Sequence, residues 1–404
     1  MEPLQNIYIG LGSNLGDRMG HLQKALDLLF QRVGHVVQVS RVYQSPSMGF
    51  SGEDFLNAVA YLQTDMTPEA VMQELLSIER DLGRRREAPG SQTQRSTAGG
   101  TSQSVISGTS QSADRQYSSR TIDLDLLAYG DLILDTQDLT LPHPRIQNRL
   151  FVLQPFMDVA PEWVHPELGL NFSALLAQCP DSNPPKPIAQ WLKNPLSAYD
   201  FTALRYLAIE GNIGAGKTSL AQMIARDFNG KLILERFADN PFLPQFYQDP
   251  ERYAFALEMS FLADRFQQLA EQSAQYDLFS DLIITDYDRY KSLIFAKITL
   301  TPAEFDLYQK FFHQMHRDLP RPQVYVYLAQ STERLLDNIK QRGRSYEQSI
   351  DADYLQKIHS GYLTHLSSET HQGKVIRIDL NDLDFVNRRS DYLKILDLIT
   401  KHTA

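Results

Sequence analysis

The chain has 404 residues, of which 42% are hydrophobic, and its formal net charge at pH 7 is −10. This length is typical of two or three domains, and the hydrophobic content excludes a disordered chain. The acidic balance disfavours a general nucleic-acid binder, which would carry a positive excess. No apolar run of membrane-spanning length occurs, the N-terminus does not resemble a signal peptide, and the single cysteine, Cys179, excludes an internal disulfide. We expect a cytoplasmic protein with neither membrane nor nucleic acid among its partners.

Two segments are not expected to belong to a folded core. Residues 87–116 consist mainly of Ser, Thr, Gln, Gly and Ala. Such a segment buries too little apolar surface to fold, so we expect a disordered insertion. Residues 171–203 include four prolines within nine residues, which disfavours regular helix or strand and predicts a proline-rich linker. The predicted domains are therefore 1–170 and 204–404.

The two domains differ in the order of their predicted elements. In the first, strand patterns cover 6–13, 36–43, 55–62 and 121–127, and helical periodicity covers 17–32 and 68–82. This mixed order indicates an α+β layer. In the second, strands at 205–210, 231–234, 282–286 and 324–328 are separated by long helical patterns. Apolar strands alternating with helices predict an α/β fold with a parallel sheet.

A phosphate-binding loop follows the first strand of the second domain. Its residues match the pattern G-x-x-x-x-G-K-[ST] in full: Gly211, Asn212, Ile213, Gly214, Ala215, Gly216, Lys217 and Thr218. The glycines let backbone N–H groups face phosphate oxygens at the start of a helix. Lys217 supplies positive charge and the Thr218 hydroxyl can bind Mg²⁺. We expect ATP as co-substrate and Mg²⁺ as cofactor.

Further motifs of the second domain resemble the deoxynucleoside kinase family. They are Glu235 to Leu243, Phe255 to Met259, and Arg342-Gly-Arg344 with Glu347. The resemblance implies a P-loop kinase with a helical lid. It implies that Glu235 accepts the proton of the sugar 5′-hydroxyl, and that Arg342 and Arg344 stabilise the transferring phosphoryl group. Glu347 belongs to the same segment and is assigned to substrate binding.

The second domain departs from that family at two positions. The family usually has a glutamine that pairs with the nucleobase where this chain has Glu258. An ionised carboxylate only accepts hydrogen bonds, which favours a base with an amino donor or requires Glu258 to be protonated. Asp286 matches the family's acid and is expected to bind Mg²⁺. The arginine that normally follows it is replaced by Tyr287, and Arg289 would take its role only if the turn differs.

Two aspartates lie two residues apart in the first domain. The segment from Arg120 to Leu127 has strand periodicity, so Asp123 and Asp125 share one face. Neighbouring carboxylates repel each other unless a cation lies between them, and oxygen ligands suit Mg²⁺. The basic residues near them in sequence are Arg84, Arg86, Arg120, His143 and Arg149. This combination indicates a site for Mg²⁺-bound polyphosphate.

The first domain as a whole resembles the 6-hydroxymethyl-7,8-dihydropterin pyrophosphokinases. The matching pieces are Ile9 to Asp17, Ser45-Pro46, Phe55 to Ala58, Ile78-Glu79, Gly83 to Arg86, the aspartate pair and the His143 segment. The resemblance implies a ferredoxin-like fold and two Mg²⁺ ions on Asp123 and Asp125. It implies that Arg84, Arg86, Arg120, His143 and Arg149 contact phosphates. It also implies that Asn57 binds the pterin and that Phe55 and Phe151 stack on it. The insertion falls in the family's substrate-closing loop, where it is expected to slow closure.

The sequence therefore predicts a fused bifunctional transferase. Its first domain moves pyrophosphate from MgATP to the pterin in folate biosynthesis, and its second phosphorylates a deoxynucleoside at the 5′-hydroxyl in salvage. Two alternatives keep the first activity and make the second domain a nucleoside monophosphate kinase or a regulatory nucleotide-binding module. A third is a scaffold whose first domain is inactive because of the insertion. A homodimer through the kinase domain is an expectation at the level of the family.

Overall fold

The computed structural model describes residues 4–47, 52–84, 119–236, 240–274, 282–317, 319–367 and 373–403. The chain divides into two compact units, Met1–Ser197 and Ala198–Ala404. The predicted disordered insertion, residues 87–116, lies outside the described residues. In the described ranges no helix is both long and apolar enough to cross a membrane.

An antiparallel sheet flanked by helices forms the first unit. Its strands are β1 (Gln5–Ser13), β2 (His35–Val39), β3 (Tyr43–Ser45), β4 (Phe55–Thr64), β5 (Asp123–Tyr129), the short pair β6 (Leu134–Asp135) and β7 (Thr140–Leu141), and β8 (Lys186–Pro187). Its helices are α1 (Arg18–Arg32), α2 (Pro68–Asp81), α3 (Leu150–Val159) and α4 (Phe172–Gln178). The main sheet has the order β5-β1-β4-β3-β8, and β2 also pairs with β4. The expected α+β layer is present.

Strand register brings polar residues from three strands together. Gly12 of β1 lies opposite Asp123 of β5 and Asn57 of β4, and Gly10 lies opposite Asp125. Residues paired across a sheet point to the same face. Because the two glycines lack side chains, the space above the centre of this face stays open between the aspartates and Asn57.

An aromatic cluster packs α3 and α4 against the sheet. Phe156 is fully buried, with its ring centroid 4.7 Å from those of Tyr8 and Trp163 and 5.2 Å from that of Phe172. Aromatic rings bury large apolar areas in tilted or edge contacts of this kind. The cluster therefore ties the residues that follow β7 to the sheet.

The predicted linker, residues 171–203, is wrong in its first part. Asn171 caps α4 by accepting a hydrogen bond from the Ala174 N–H (3.0 Å), and Phe172 and Leu175 are buried one helical turn apart. This amphipathic pattern precedes the prolines and is independent of them. The Lys186–Pro187 pair then adds an edge strand beside β3, where a proline is tolerated because one side of the strand needs no hydrogen bonds. The first unit accordingly extends to Ser197.

The second unit has a five-stranded parallel sheet. Its strands are β9 (Tyr206–Gly211), β10 (Lys231–Ile233), β11 (Ile283–Thr285), β12 (Val324–Ala329) and β13 (Lys374–Asp379). Its helices are α5 (Lys217–Asp227), α6 (Leu243–Gln248), α7 (Pro250–Ala274), α8 (Lys291–Thr299), α9 (Pro302–Met315), α10 (Thr332–Arg342), α11 (Ala352–Leu366) and α12 (Arg389–Thr403). The strand order is β10-β11-β9-β12-β13, and every pair is parallel, which confirms the predicted sheet.

The strand order places the phosphate loop at the centre of the sheet edge. β9 is the middle strand, and the loop leaves its carboxyl end. The segments after β10 and β11 leave the same edge because parallel strands end on one side. Ligands of open α/β sheets bind at this edge. The second site is therefore expected where the segments after β9, β10 and β11 meet.

We predict that Phe156→Ala destabilises the first unit by about 3–5 kcal/mol, because it removes the centre of a fully buried aromatic cluster. Both tryptophans, Trp163 and Trp191, lie in this unit. Tryptophan fluorescence during urea unfolding therefore measures the effect. Met157→Ala, on the same helix but 37% exposed, is the control and should change stability little. Equal losses in the two variants would contradict the packing argument.

Candidate active sites

The first unit contains a cavity of about 280 Å³ above the open face of the sheet. Its walls include most of the side chains that the sequence predicts for the pterin and phosphate site: Phe55, Asn57, Arg120, Asp123, Asp125, Arg149 and Phe151. Gly10 and Gly12 form part of the floor. The structure thus brings together residues from β1, β4, β5 and α3.

Asp123 holds two of the predicted arginines, one on each carboxylate oxygen. The Arg84 guanidinium binds Oδ1, and Arg120 Nη1 binds Oδ2 at 2.8 Å. Arg84 also binds Glu79, whose Oε1 accepts the Leu124 N–H at 2.9 Å. Glu79 is 1% exposed and therefore fixes Arg84 to the buried end of β5. The fourth arginine of the set, Arg86, lies outside the described residues.

Asn14 anchors the other side of this site. Its Oδ1 accepts the Arg120 N–H at 2.7 Å, and its own N–H donates to the Arg120 carbonyl at 3.2 Å. Its Nδ2 lies 3.3 Å from the Glu53 carbonyl and from Ser119 Oγ. Because the Asn14 side chain is fully buried and makes all of these hydrogen bonds, it holds the backbone at Arg120 in place. Asn14 and Glu79 were not assigned roles from sequence, although both lie within the motifs of the resemblance.

The second aspartate experiences a different environment. Burial, together with the nearby charge of Asp123, raises the pKa of Asp125. Burial also lowers the pKa of His143, although the Asp125 charge opposes that shift. The charges of His143 and Asp125 therefore act on each other, although His143 does not line the cavity. A cation between the two carboxylates would relieve their repulsion, so the donor set fits Mg²⁺.

The apolar side of the cavity has two phenylalanines, each next to an arginine. The Arg120 guanidinium lies 5.9 Å from the Phe55 ring centroid, and that of Arg149 lies 5.4 Å from Phe151. Asn57 is 6% exposed and donates from Nδ2 to Ser45 Oγ at 2.8 Å. That bond orients the amide toward the cavity it lines. The arrangement suits a flat heterocycle with polar edges and an adjacent anionic chain.

In the second unit the phosphate loop has the backbone conformation that its sequence predicts. Gly214 and Gly216 have φ of +81° and +86°, which other residues rarely adopt. Asn338 Nδ2 donates to the Gly214 carbonyl at 2.9 Å, and Asn212 Nδ2 donates to the Leu355 carbonyl at 2.8 Å. Helices α10 and α11 therefore hold the loop open for phosphate.

A cavity of about 110 Å³ lies beside this loop. The predicted residues that line it are Ile213, Gly214, Lys217, Thr218, Glu235, Glu258, Asp286, Arg342, Arg344 and Glu347. Lys217 Nζ donates to the Asn212 carbonyl at 2.8 Å. Burial and the charge of Lys291 lower the pKa of Lys217 to about 8. A bound phosphate would raise that pKa again by adding negative charge.

Glu235 carries two cations. Arg265 Nη2 and Nε bind its Oε1 at 2.6 and 2.9 Å, and the Lys291 ammonium binds its Oε2. Burial alone would raise the pKa of Glu235, but Lys291 and Arg265 lower it to about 2. Glu235 is therefore ionised at neutral pH. Arg265 and Lys291 line the cavity, and the sequence motifs do not indicate either of them.

Asp286 binds both the phosphate loop and the segment that follows β10. Its Oδ2 accepts the Thr218 hydroxyl at 2.5 Å, and its Oδ1 accepts the Glu235 N–H at 2.8 Å. The hydroxyl and the carboxylate are oxygen donors of the kind that Mg²⁺ takes beside a nucleotide. No group of three or more metal-binding side chains occurs among the described residues of either unit. Phosphate oxygens would have to complete the coordination of Mg²⁺ at both sites.

The two arginines that the family resemblance assigns to a lid are Arg342, the last residue of α10, and Arg344, which follows that helix. Glu347 binds both of them: the Arg342 guanidinium on Oε2, and Arg344 Nη1 on Oε1 at 3.2 Å. Glu347 is 6% exposed, whereas the arginine side chains are about one-third exposed. Glu347 lines the cavity as predicted, and it also positions the two arginines.

Arg289 does not replace the missing family arginine. It is 2% exposed, and its Nη1 donates to the His316 carbonyl at 2.8 Å, away from the residues that line the cavity. Tyr287, which occupies the position of that arginine, is fully buried and donates to Gln268 Oε1 at 3.1 Å. The positive charge near Glu235 comes instead from Arg265 on α7 and Lys291 on α8.

Glu258 is 2% exposed on α7 and faces the cavity. Its Oε1 accepts the Thr299 hydroxyl at 2.9 Å. Its Oε2 is buried and has no hydrogen-bond partner within the part of the chain that the structure describes. Burial raises the pKa of Glu258 to about 7, although Arg265 and Thr299 oppose the shift. An unsatisfied buried oxygen in a pocket is a ready acceptor for a ligand donor.

Comparisons with known proteins match the two units separately. The family model described as 7,8-dihydro-6-hydroxymethylpterin-pyrophosphokinase matches residues 8–96 and 103–161, and the deoxynucleoside kinase model matches residues 207–404. A pyrophosphokinase of Porphyromonas gingivalis, described as acting on 2-amino-4-hydroxy-6-hydroxymethyldihydropteridine, is 38% identical over 163 residues. The match covers 40% of this chain and 94% of that protein. A deoxyguanosine kinase of Bacillus subtilis is 38% identical over 193 residues, which cover 47% of this chain and 93% of that protein.

Among solved structures, a deoxyadenosine kinase from M. mycoides aligns with a TM-score of 0.42 and 23% identity. The alignment covers 48% of this chain and 99% of that one. Each of the two sequence relatives is matched over nearly its full length by one half of this chain. The chain therefore belongs to two families, with a hydroxymethyldihydropterin pyrophosphokinase in its first half and a deoxynucleoside kinase in its second.

Proposed function

We propose that the first unit transfers the β,γ-pyrophosphoryl group of ATP to the hydroxymethyl oxygen of 6-hydroxymethyl-7,8-dihydropterin. The observation that carries this proposal is a single cavity in which two phenylalanines and Asn57 lie beside Asp123 and Asp125. The phenylalanines would stack on the pterin, and Asn57 would bind its edge. A bond forms between the hydroxymethyl oxygen and the β-phosphorus while the bond from that phosphorus to the α,β-bridging oxygen breaks. AMP leaves with the bridging oxygen, and the hydroxyl proton passes to water. We also propose that this unit has a ferredoxin-like fold.

The charged residues have separate roles in this proposal. Asp123 and Asp125 would hold Mg²⁺, which supplies charge neutralisation on the phosphates. Arg84, Arg86, Arg120, Arg149 and His143 would bind phosphate oxygens. Before ATP binds, Arg84 and Arg120 are both on Asp123. Because a carboxylate oxygen has more than one lone pair, Asp123 can keep an arginine while it also binds a cation.

For the second unit we propose phosphorylation of a deoxynucleoside at its 5′-hydroxyl by MgATP. The 5′-oxygen bonds to the γ-phosphorus, ADP leaves, and Glu235 accepts the hydroxyl proton. A carboxylate of pKa about 2 is a weak base, so it takes the proton only as the new bond forms. That order suits the loose transition state of phosphoryl transfer, which depends on positioning and charge. Asp286 and Thr218 would hold Mg²⁺, while Lys217, Arg342 and Arg344 neutralise the phosphates.

We further propose that the preferred nucleobase is guanine. An ionised Glu258 offers acceptors only, and the Watson–Crick edge of guanine presents two adjacent donors, N1–H and the 2-amino group. Adenine and cytosine each present one donor beside one acceptor, which matches the amide of glutamine instead. The relative described as a deoxyguanosine kinase supports the same preference. Monophosphate substrates remain the alternative, and they are included in the panel below.

We predict that Asp123→Ala and Asp125→Ala each lower AMP formation from ATP and the hydroxymethyl pterin by at least about 100-fold, because they remove metal ligands. Deoxynucleoside phosphorylation by the same chain should be unchanged, and the tryptophan fluorescence of the first unit shows whether the variants are folded there. Asp131→Ala, an exposed acid just after β5, is the matched control and should retain both activities. Absence of AMP formation by the wild-type protein would refute the pyrophosphokinase proposal.

We predict that Glu258→Gln lowers the kcat/KM ratio of deoxyguanosine to deoxyadenosine by about 10- to 100-fold, the cost of one mismatched buried hydrogen bond. ADP release is measured with the four deoxynucleosides and their monophosphates. Preference for a monophosphate would establish the monophosphate kinase instead. An unchanged ratio in Glu258→Gln would show that Glu258 does not contact the base.

The same ratio should depend on pH in the wild-type protein. Below its pKa of about 7, Glu258 is protonated and offers one donor and one acceptor, which suits adenine. Above it, the carboxylate suits guanine, so the ratio should rise between pH 6 and pH 8. The groups that act on Glu258 are Arg265, Thr299, Lys291 and Glu235, and Lys217 also titrates in the site near pH 8. Titrations that affect both substrates equally cancel in this ratio. In Glu258→Gln the ratio should no longer change with pH.

A further inference from the structure

Lys291 occupies a position that is unfavourable for a lysine unless it has a partner. It is the first residue of α8, where the helix dipole disfavours a cation, and it is only 8% exposed. Its ammonium binds Glu235 Oε2 and lies 5.5 Å from the Phe295 ring centroid. The contact with Glu235 offsets both costs, which explains why a lysine is buried here.

The path of the chain accounts for this placement. Tyr287 is directed into the core, where its hydroxyl bonds to Gln268, whose Nε2 in turn donates to the Leu234 carbonyl at 2.7 Å. Tyr287 is therefore not among the residues that line the cavity. The turn that follows is closed by the Lys291 N–H on the Asp288 carbonyl at 3.1 Å. Helix α8 then begins at Lys291, whose side chain lines the cavity.

Each oxygen of Glu235 has its own cation with its own support. Arg265 holds Oε1, and Arg265 is in turn fixed by Ser292 Oγ at 2.7 Å from its Nη1. Within the described part of the chain, Lys291 is the residue that binds Oε2. Without Lys291, the carboxylate could rotate about its bond to Arg265. The orientation of Oε2 toward the cavity therefore depends on Lys291.

We propose that Lys291 is a positioning residue for Glu235 and takes the place of the arginine that the family has directly after Asp286. This inference rests on the proposed phosphorylation of a deoxynucleoside by the second unit. Lys291 keeps one oxygen of Glu235 directed at the 5′-hydroxyl, so that the proton is accepted as phosphorus–oxygen bonding develops. It acts through Glu235 and not through the phosphates, whose charge is met by Lys217 and the lid arginines.

The first test compares Lys291→Met, Lys291→Arg and the control Lys297→Met in the full-length protein. We expect Lys291→Met to lower kcat by roughly 100-fold, because misplacement of a reacting group by about 1 Å costs that much. KM for the deoxynucleoside should change little, and Lys291→Arg should restore most of kcat because an arginine can bind the same oxygen. Lys297 is exposed on the same helix, and its substitution should have no effect. The unchanged KM for the deoxynucleoside monitors the folding of the second unit, and AMP formation by the first unit should be unchanged in all three variants.

The second test is a double-mutant cycle with Glu235→Gln. If Lys291 acts through Glu235, Lys291→Met should lower kcat little further in the Glu235→Gln background. Full additivity would overturn the proposal, because Lys291 would then act directly on the phosphates. An unchanged kcat in Lys291→Met alone would overturn it as well. Absence of wild-type turnover with every deoxynucleoside would instead refute the proposed function, so the two failures are distinct.

Discussion

The placement of several cations in partly or fully buried sites is the constraint on which both active sites depend. Three carboxylates solve this problem in the same way, with one cation on each oxygen: Asp123 with Arg84 and Arg120, Glu235 with Arg265 and Lys291, and Glu347 with Arg342 and Arg344. A buried unpaired charge is costly, and a paired one keeps its geometry. The Glu235 and Glu347 groups each have a formal charge of +1, so they remain attractive to phosphate, whereas the Asp123 group is neutral once Glu79, the second partner of Arg84, is counted. The net charge of −10 for the whole chain says nothing about these local sites.

Much of the fold and of both sites could be predicted from local patterns. The strand period places Asp123 and Asp125 on one face, and the phosphate loop requires its glycines and Lys217 whatever surrounds them. Glu235, Arg342 and Arg344 lie within short motifs. The structure places these residues along the two cavities, and their positions could be predicted because each motif is encoded within a few consecutive residues.

The partners of those residues could not be predicted in the same way. Arg265 and Lys291 lie 30 and 56 positions from Glu235, and only the parallel order of β9, β10 and β11 brings them together. Because Tyr287 stands where the family has an arginine, no neighbouring motif indicates a cation for Glu235. Arg289, the arginine nearest in sequence, binds the His316 carbonyl instead. In the first unit, the prolines after residue 179 led to the prediction of a linker where helix α4 forms. The apolar spacing and the asparagine cap of that helix precede the prolines.

The pairing of arginines with carboxylates also explains why the positions of Arg84 and Arg120 do not depend on the insertion between them. Arg84 is held by Glu79 and Asp123, and Arg120 by Asn14 and Asp123. Every one of these contacts is made by residues outside the insertion. The distance between the two arginines is therefore set by β1, α2 and β5, and not by the length of chain that connects them. Because the entropic cost of loop closure grows only slowly with length, an insertion of this size changes the stability of the site little.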